Sequence, residues 1–358
     1  MIFTGDIALP FKNGVRLEGI PQDELLKQWV GNLEGSLVTS DEQLYTDRIR
    51  RRIVFNDVEA VCELLKKVPF RAFGMANNHL LDACGVRNSL ENLVSMNIPQ
   101  FGAGRNLEEA MRPLMLKDGG REYALYAFGW KSINCIDATD SQPGSNPYNK
   151  WHVIDQMQKA VAENPNKRII AFIHWNTELE LYPQPLDREL SHRLIDMGVY
   201  AVIGCHAHRV QPFEIYKGHP IVYGLGNFCF RQQTYMDGKL KFPEFSYPEI
   251  AFEIDEDCFY VHEFLYDPKI QVVSYQKKNL VTQSNALFAS LSDKDYKKWF
   301  KENRFQRKGI PISYYEDSRI QVFLKHYYGR SRGAFINMLT RNDKVYNWVK
   351  GVAARIFG

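Results

Sequence analysis

Through its first 230 residues or so the chain alternates short apolar runs with amphipathic segments. Met1–Thr4, Phe70–Ala76, Tyr123–Phe128, Arg168–Ile173, Tyr200–Ile203 and Ile221–Tyr223 read as brief strands, most of them ending in a polar or glycine cluster. Between them Asp57–Val68 places Val58, Val61, Leu64, Leu65 and Val68 at helical spacing, and Val86–Met96, Trp151–Ala162 and Arg188–Met197 also read as helices. This alternation predicts an α/β protein with buried strands. Ile250–Asp255 and Cys258–Leu265, joined at Glu256-Asp257, predict a hairpin that completes the sheet. After Tyr266 the texture changes: Asp293–Asn303 is a highly charged helix candidate, and Ser318–Tyr328 and Val345–Phe357 are amphipathic. The expected division is a domain over residues 1–266 and a basic, mainly helical extension over 267–358.

Length and composition narrow this further. At 358 residues, with ordinary apolar and charged fractions, the chain can bury a sizeable core without disulfides. No apolar run reaches the ~18 residues of a membrane-spanning helix. Met1-Ile2-Phe3 leads straight into Gly5-Asp6 without a basic leader, so no signal peptide and a cytoplasmic location are expected. The six cysteines are irregularly spaced with no C-x-x-C pair, which argues against a zinc finger and for free, mostly core thiols. From Leu291 to Gly358 there are 15 Lys and Arg against 6 Asp and Glu, so the net +3 hides a basic tail on a mildly acidic body. Lys294, Lys297, Lys298, Lys301, Arg304, Arg307 and Lys308 suit a solvated helical face. Val345–Phe357 mixes Trp, Phe and cations as an interfacial helix would, and it either packs on the main domain or docks peripherally at the inner membrane face. The tail carries no nucleic-acid-binding motif, and no such partner is expected.

The chemistry concentrates where strands end, which is where open α/β sheets hold their ligands. Six clusters matter: Gly5-Asp6, Gly31-Asn32-Leu33-Glu34-Gly35, Ala76-Asn77-Asn78-His79, His174-Trp175-Asn176-Thr177-Glu178, Gly204-Cys205-His206-Ala207-His208 and Gly224-Leu225-Gly226-Asn227-Phe228. They offer carboxylates, an amide oxygen and imidazoles, a donor set for borderline divalent metals such as Zn, Mn, Fe or Ni. His206 and His208, two apart in an extended segment, would point the same way and reach a common ion, with Gly204 letting the backbone pass closely beneath. Cys205, beside His206, would point away from the metals as a buried, inert thiol.

In order, Gly-Asp, Asn-Leu-Glu-Gly, Ala-Asn-Asn-His-x-x-Asp, Gly-Ala-Gly, His-Trp-x-x-Glu, Gly-x-His-x-His-x-x-Gln-Pro and Leu-Gly-Asn-Phe resemble the capsule-synthesis CapA-type family, also named for poly-γ-glutamate biosynthesis. The resemblance runs from Met1 to about Phe230, with strand-like continuation to Tyr266. It implies membership of the calcineurin-like metallophosphoesterase superfamily and its α/β/β/α sandwich. It implies Asp6, Glu34, Asn78, His174, His206 and His208 as ligands of one or two divalent metal ions, with Asn32 an alternative to Glu34. It also implies His79 as the acid that protonates a leaving group, with Asp82 orienting it, Asn77 beside them, and Glu178 and Asn227 supporting the ligands. Two departures stand out: Ile7 and Ala8 follow Asp6 where the superfamily has Asp-x-His, and Gly31-Asn32-Leu33-Glu34 replaces Gly-Asp-x-x-Asp. Asn176, Cys205, Ala207 and Cys84 depart from the branch's own pattern. The implied activity is metal-dependent hydrolysis of a phosphate ester in capsule or surface-polymer production, on a phosphorylated or polymer-precursor substrate. The alternative is a non-hydrolytic accessory protein of a polymer synthase, with residues 291–358 contacting the membrane face.

Overall fold

The computed structural model describes residues 1–39, 54–82, 86–235, 238–305 and 310–340. Among them the strands form two large sheets. The first runs in the order Arg16–Glu18, Val272–Leu280, Cys258–Asp267, Pro248–Asp255, Ile2–Ala8, Trp29–Leu33, Phe70–Gly74 and Gln100–Phe101, with Asn227–Phe230 also paired to Ile2–Ala8. The second runs Phe213–Tyr216, His219–Val222, Ala201–Cys205, Arg168–His174, Arg121–Gly129 and Leu114–Asp118.

Alternation of side chains along the strands builds the layers, with a register shift in Ile2–Ala8 between Phe3 and Asp6. In Arg121–Gly129, Leu125 and Ala127 face the other sheet while Ala124, Tyr126 and Phe128 face helices. Phe3, Val30, Phe172 and Ile203 fill the space between the sheets, with the Phe3 and Phe172 rings 6.2 Å apart. Ile2, Ile7 and Phe73 pack outward on the helix Val58–Lys67 through Ala60, Val61 and Leu64. Ile169, Ala171 and Val202 pack on Lys150–Glu163 and Pro185–Asp196 through Val153, Met157, Leu190 and Leu194. Helix, sheet, sheet, helix is the α/β/β/α sandwich, and strands buried on both faces explain the continuous apolar runs.

The sheet does not end at Tyr266. Val272–Leu280 pairs antiparallel with Cys258–Asp267, so the first sheet crosses the boundary expected at 266. Asp293–Asn303 then buries Tyr296 and Phe300 in the core over the second sheet. Residues 267–303 are thus bound into the sandwich, because their apolar positions are needed to cover it. The interfacial segment expected at Val345–Phe357, and Cys84, lie outside the described residues. No helix among the described residues is long and apolar enough to cross a membrane.

Candidate metal centre

Parallel pairing brings the strand ends together. Asp6 sits opposite Asn32 on one side and Asn227 on the other, and His174 opposite Cys205. Close strand contact is obligatory here: a methyl group on Gly5 would meet Gly226 O at 2.0 Å, and one on Gly204 would meet Tyr223 O at 2.1 Å.

Around this seam the donors converge. Glu34, His174 and His206 form one triad and Asp6, Glu34 and His208 another, each with its ligand atoms within 4.8 Å of one another, and Glu34 belongs to both. His174 Nε2 lies 2.7 Å from Asn78 Oδ1, 3.2 Å from His206 Nδ1 and 4.0 Å from Glu34 Oε1. His208 Nδ1 lies 3.3 Å from Asp6 Oδ2, and its Nε2 3.7 Å from Glu34 Oε1. The backbone N–H of His206 donates to Asp6 Oδ2 at 3.1 Å. Asp6, Glu34, His174, His206 and His208 are all buried, while Asn78 and His79 are half-buried at the rim.

Electrostatics fit a cation. Burial pushes the Asp6 carboxyl up to about 7, against the hydrogen bonds from Asn32 and His206. Burial, with His206, His208 and His79 nearby, holds the His174 imidazole well below its ordinary range, and so in the neutral form that ligates. A divalent ion among them would relieve the cost of burying the carboxylates. Two carboxylates, an amide oxygen and three imidazoles suit a borderline divalent ion.

Several side chains hold the donors in place. Asn32 Nδ2 donates to Asp6 Oδ1 at 2.7 Å and stands 3.3 Å from His174 Nδ1. Asn227 Oδ1 meets His208 Nδ1 at 2.9 Å. Phe242 stacks on the His208 ring with centroids 4.5 Å apart. Asp82 Oδ2 lies 2.5 Å from His79 Nδ1 and also accepts the backbone N–H of Val54, which leaves His79 Nε2 3.7 Å from Glu34 Oε1.

Other residues take different places from those expected. Asn77 is a brace: its Oδ1 accepts the N–H groups of Gly35 and His79, and its Nδ2 donates to Leu33 O. With its amide spent on backbone it ties the Glu34 loop to the His79 turn and has no group left for catalysis. Glu178, expected to support the ligands and not to bind the ion itself, is half-buried in the turn after His174, outside both triads. The neighbouring Glu180 is the buried one, accepting from Leu181 and Phe305. His206 and His208 do not lie on extended backbone. Their φ angles of 90° and 50° place them in a left-handed turn, and it is this turn that aims both rings inward. Cys205 is buried but does not point away from the site: its thiol donates to the Asp6 carboxyl, and burial raises it well above the ordinary range. Asn32 and Phe242 also hold the donors, and neither is marked as a support by the sequence. Asn32 was visible only as an alternative ligand, and Phe242 carries no motif at all.

A four-layer sandwich with this donor cluster at its parallel strand ends defines an α/β/β/α protein with a candidate metal centre. Residues 26–232 match the model of the family described as bacterial capsule synthesis protein PGA_cap, and the chain belongs to that family. It is 28% identical over 208 residues to the capsule biosynthesis protein CapA of Bacillus anthracis, covering 56% of this chain and 50% of that one. It is 29% identical over 173 residues to the PGA biosynthesis protein CapA of Bacillus subtilis, covering 48% and 45%. To a "probable polyglutamine synthesis accessory protein" of Mycobacterium tuberculosis it is 27% identical over 208 residues, covering 55% and 53%. The chain thus spans about half the length of these relatives. Among solved structures it is similar to a 5'-nucleotidase precursor from Thermus thermophilus, at 13% identity and a TM-score of 0.39, covering 84% of this chain and 58% of that one. The NAD nucleotidase of Haemophilus influenzae gives 11% and 0.32, covering 85% and 51%. So distant a likeness carries no functional argument.

Proposed function

We propose that the chain is a metal-dependent phosphoesterase-type hydrolase acting in capsule or surface-polymer production. The observation that carries the reading is the convergence of Asp6, Glu34, Asn78, His174, His206 and His208, with His79 held at the rim. These six would hold one or two divalent ions, with Glu34 shared between the two triads. Such ions, when bound, polarise a phosphoryl oxygen and lower the pKa of a coordinated water. The protein's own part is positional. Asn32 and Asn227 fix the faces of Asp6 and His208, and the rim residues Asn78 and His79 line the approach. Asp82 holds His79 by Nδ1, so Nε2 is the atom that gives a proton to the departing oxygen.

The test uses protein purified without chelators. Elemental analysis is expected to find a divalent metal, and the protein to turn over a generic phosphomonoester or phosphodiester. Asp6→Asn and His206→Ala should lose metal and turnover together. His79→Ala should keep the metal and lose turnover by roughly 10²–10⁴-fold. Metal retention in both ligand variants would refute the assignment.

The second reading is an accessory protein whose ion is structural. Burial of five of the six ligand residues favours it, since structural metal sites are closed and catalytic ones keep an open position. Full metal occupancy with no turnover of either substrate class, and with His79→Ala indistinguishable from the parent, would select this reading.

A further inference from the structure

The helix Arg319–Thr340 stands on the segment that follows the strand Arg121–Gly129, whose last residue pairs with His174. His326 Nδ1 meets Lys131 O at 3.0 Å, and a methyl group on Gly329 would meet Ser132 O at 2.4 Å. Its two faces separate by helical period. Val322, Lys325, His326 and Gly329 are half-buried against the body, and Lys325 there is bound to Ile312 O and the Asp317 carboxylate. The opposite face presents Ile320, Phe323, Leu324 and Tyr327, which are 72%, 64%, 57% and 65% exposed. Four large apolar side chains at i, i+3, i+4 and i+7 make a continuous stripe in water, which marks an interaction surface.

Charge selects the occupant. Arg319–Thr340 contains Arg319, Lys325, Arg330 and Arg332 and no Asp or Glu. Residues 341–358 add Arg341, Lys344, Lys350 and Arg355 against Asp343 alone. Arg319 lies over the half-exposed ring of Trp151, 5.5 Å from its centroid, which widens the surface with an aromatic suited to a membrane interface. An apolar stripe with aromatics and a predominantly basic complement matches an amphipathic helix lying in an anionic lipid surface. A symmetric pairing of two such helices would instead set like charges against each other.

We propose that the helix Arg319–Thr340 docks flat on an anionic membrane surface through Ile320, Phe323, Leu324 and Tyr327. At 22 residues it would lie along about 33 Å of that surface. It would hold the end of the second sheet that carries His174 on the membrane-bound side of the protein. The inference is independent of whether the metal centre hydrolyses anything.

The full chain is tested by flotation with vesicles of phosphatidylcholine alone and of an equal mixture of phosphatidylcholine and phosphatidylglycerol. It is expected to float with the mixed vesicles, to release as salt is raised, and to bind the neutral vesicles at least roughly tenfold more weakly. A combined Phe323→Ser, Leu324→Ser, Tyr327→Ser variant alters only exposed positions. It should keep the parent's thermal unfolding and lose roughly a hundredfold in vesicle binding. The proposal is overturned if the parent ignores the mixed vesicles at low salt, or if neutral vesicles bind it equally well. Unchanged binding by the triple variant also overturns it. A lipid-free dimer that the triple variant abolishes would assign the face to a second copy and overturn it too.

Discussion

Single side chains do most of the placing in the metal centre, and Asn32 shows how. It stands opposite Asp6 in the parallel ladder, donates to one Asp6 oxygen at 2.7 Å, and sits against His174 Nδ1. The other Asp6 oxygen takes the His206 N–H, so the carboxylate is held from two sides. Partners that orient metal ligands cost about 10–100-fold in affinity when removed. Asn32→Ala is therefore expected to weaken divalent metal binding by that factor without unfolding the protein. Competition against a fluorescent chelator measures it, and an unchanged affinity would reduce Asn32 to a filler. What the sequence hid about Asn32 was register. Gly31-Asn32-Leu33-Glu34 shows two donors near each other, but only the parallel pairing decides that Asn32 faces Asp6 while Glu34 reaches past the strand end. The His206 turn is similar, because nothing in Gly-Cys-His-Ala-His announces two left-handed non-glycine residues.

Elements with a strong local pattern were legible. Asp293–Asn303 forms over the span its charge and apolar spacing predict, with Ser292 capping it through Asp295 N. Val58–Lys67 starts where Asp57 accepts from Ala60 N. Val272–Leu280 was not legible, because its half-exposed Val-Val-Ser-Tyr-Gln-Lys-Lys-Asn-Leu resembles a surface segment until Cys258–Asp267 pairs with it. Packing between elements was equally hidden, and Arg188 carries much of it. This guanidinium, buried in the helix Pro185–Asp196, pairs with Glu214 at 2.9 Å and Asp293 at 3.1 Å, and donates to Leu291 O at 3.0 Å. It fastens the segment before Asp293–Asn303 to the second sheet. Burial opposes its charge, yet Glu214 and its neighbours keep the guanidinium firmly protonated. Arg188→Met keeps the volume but strands the Glu214 carboxylate, leaving only His192 and Tyr223 beside it. Removing one partner of a buried pair costs about 3–5 kcal/mol. Urea unfolding should show that loss. Limited proteolysis should then cut within 284–303 sooner than in the parent, whereas uniform cleavage would deny the fastening role.

At the scale of the molecule, two buried glutamates on one strand impose opposite demands on pH. In Pro248–Asp255, burial alone would raise Glu253, but hydrogen bonds from His262, Lys27 and Lys278 outweigh it and hold the carboxyl down at about 2. Its folded value lies below the unfolded one of 4.5, so its stabilisation is complete above that pH and fades as pH falls toward 2. Among the described residues no cation is paired with Glu249, four residues earlier. Burial pushes it up to about 8, relieved only by the Cys229 N–H. Its folded value lies above the unfolded one, so its stability is fully present below 4.5 and drains away as pH rises to 8. The linkage amounts to on the order of 4 kcal/mol across that window. Glu249→Gln retains the shape of the protonated acid and has no proton to lose. It should therefore match the parent near pH 5 and exceed it by an amount that grows steadily to pH 8. Urea midpoints at half-unit pH steps trace the difference. A constant offset would mean that Glu249 stays neutral for another reason, and a variant that falls behind the parent at pH 8 would mean that a cation reaches the carboxylate after all.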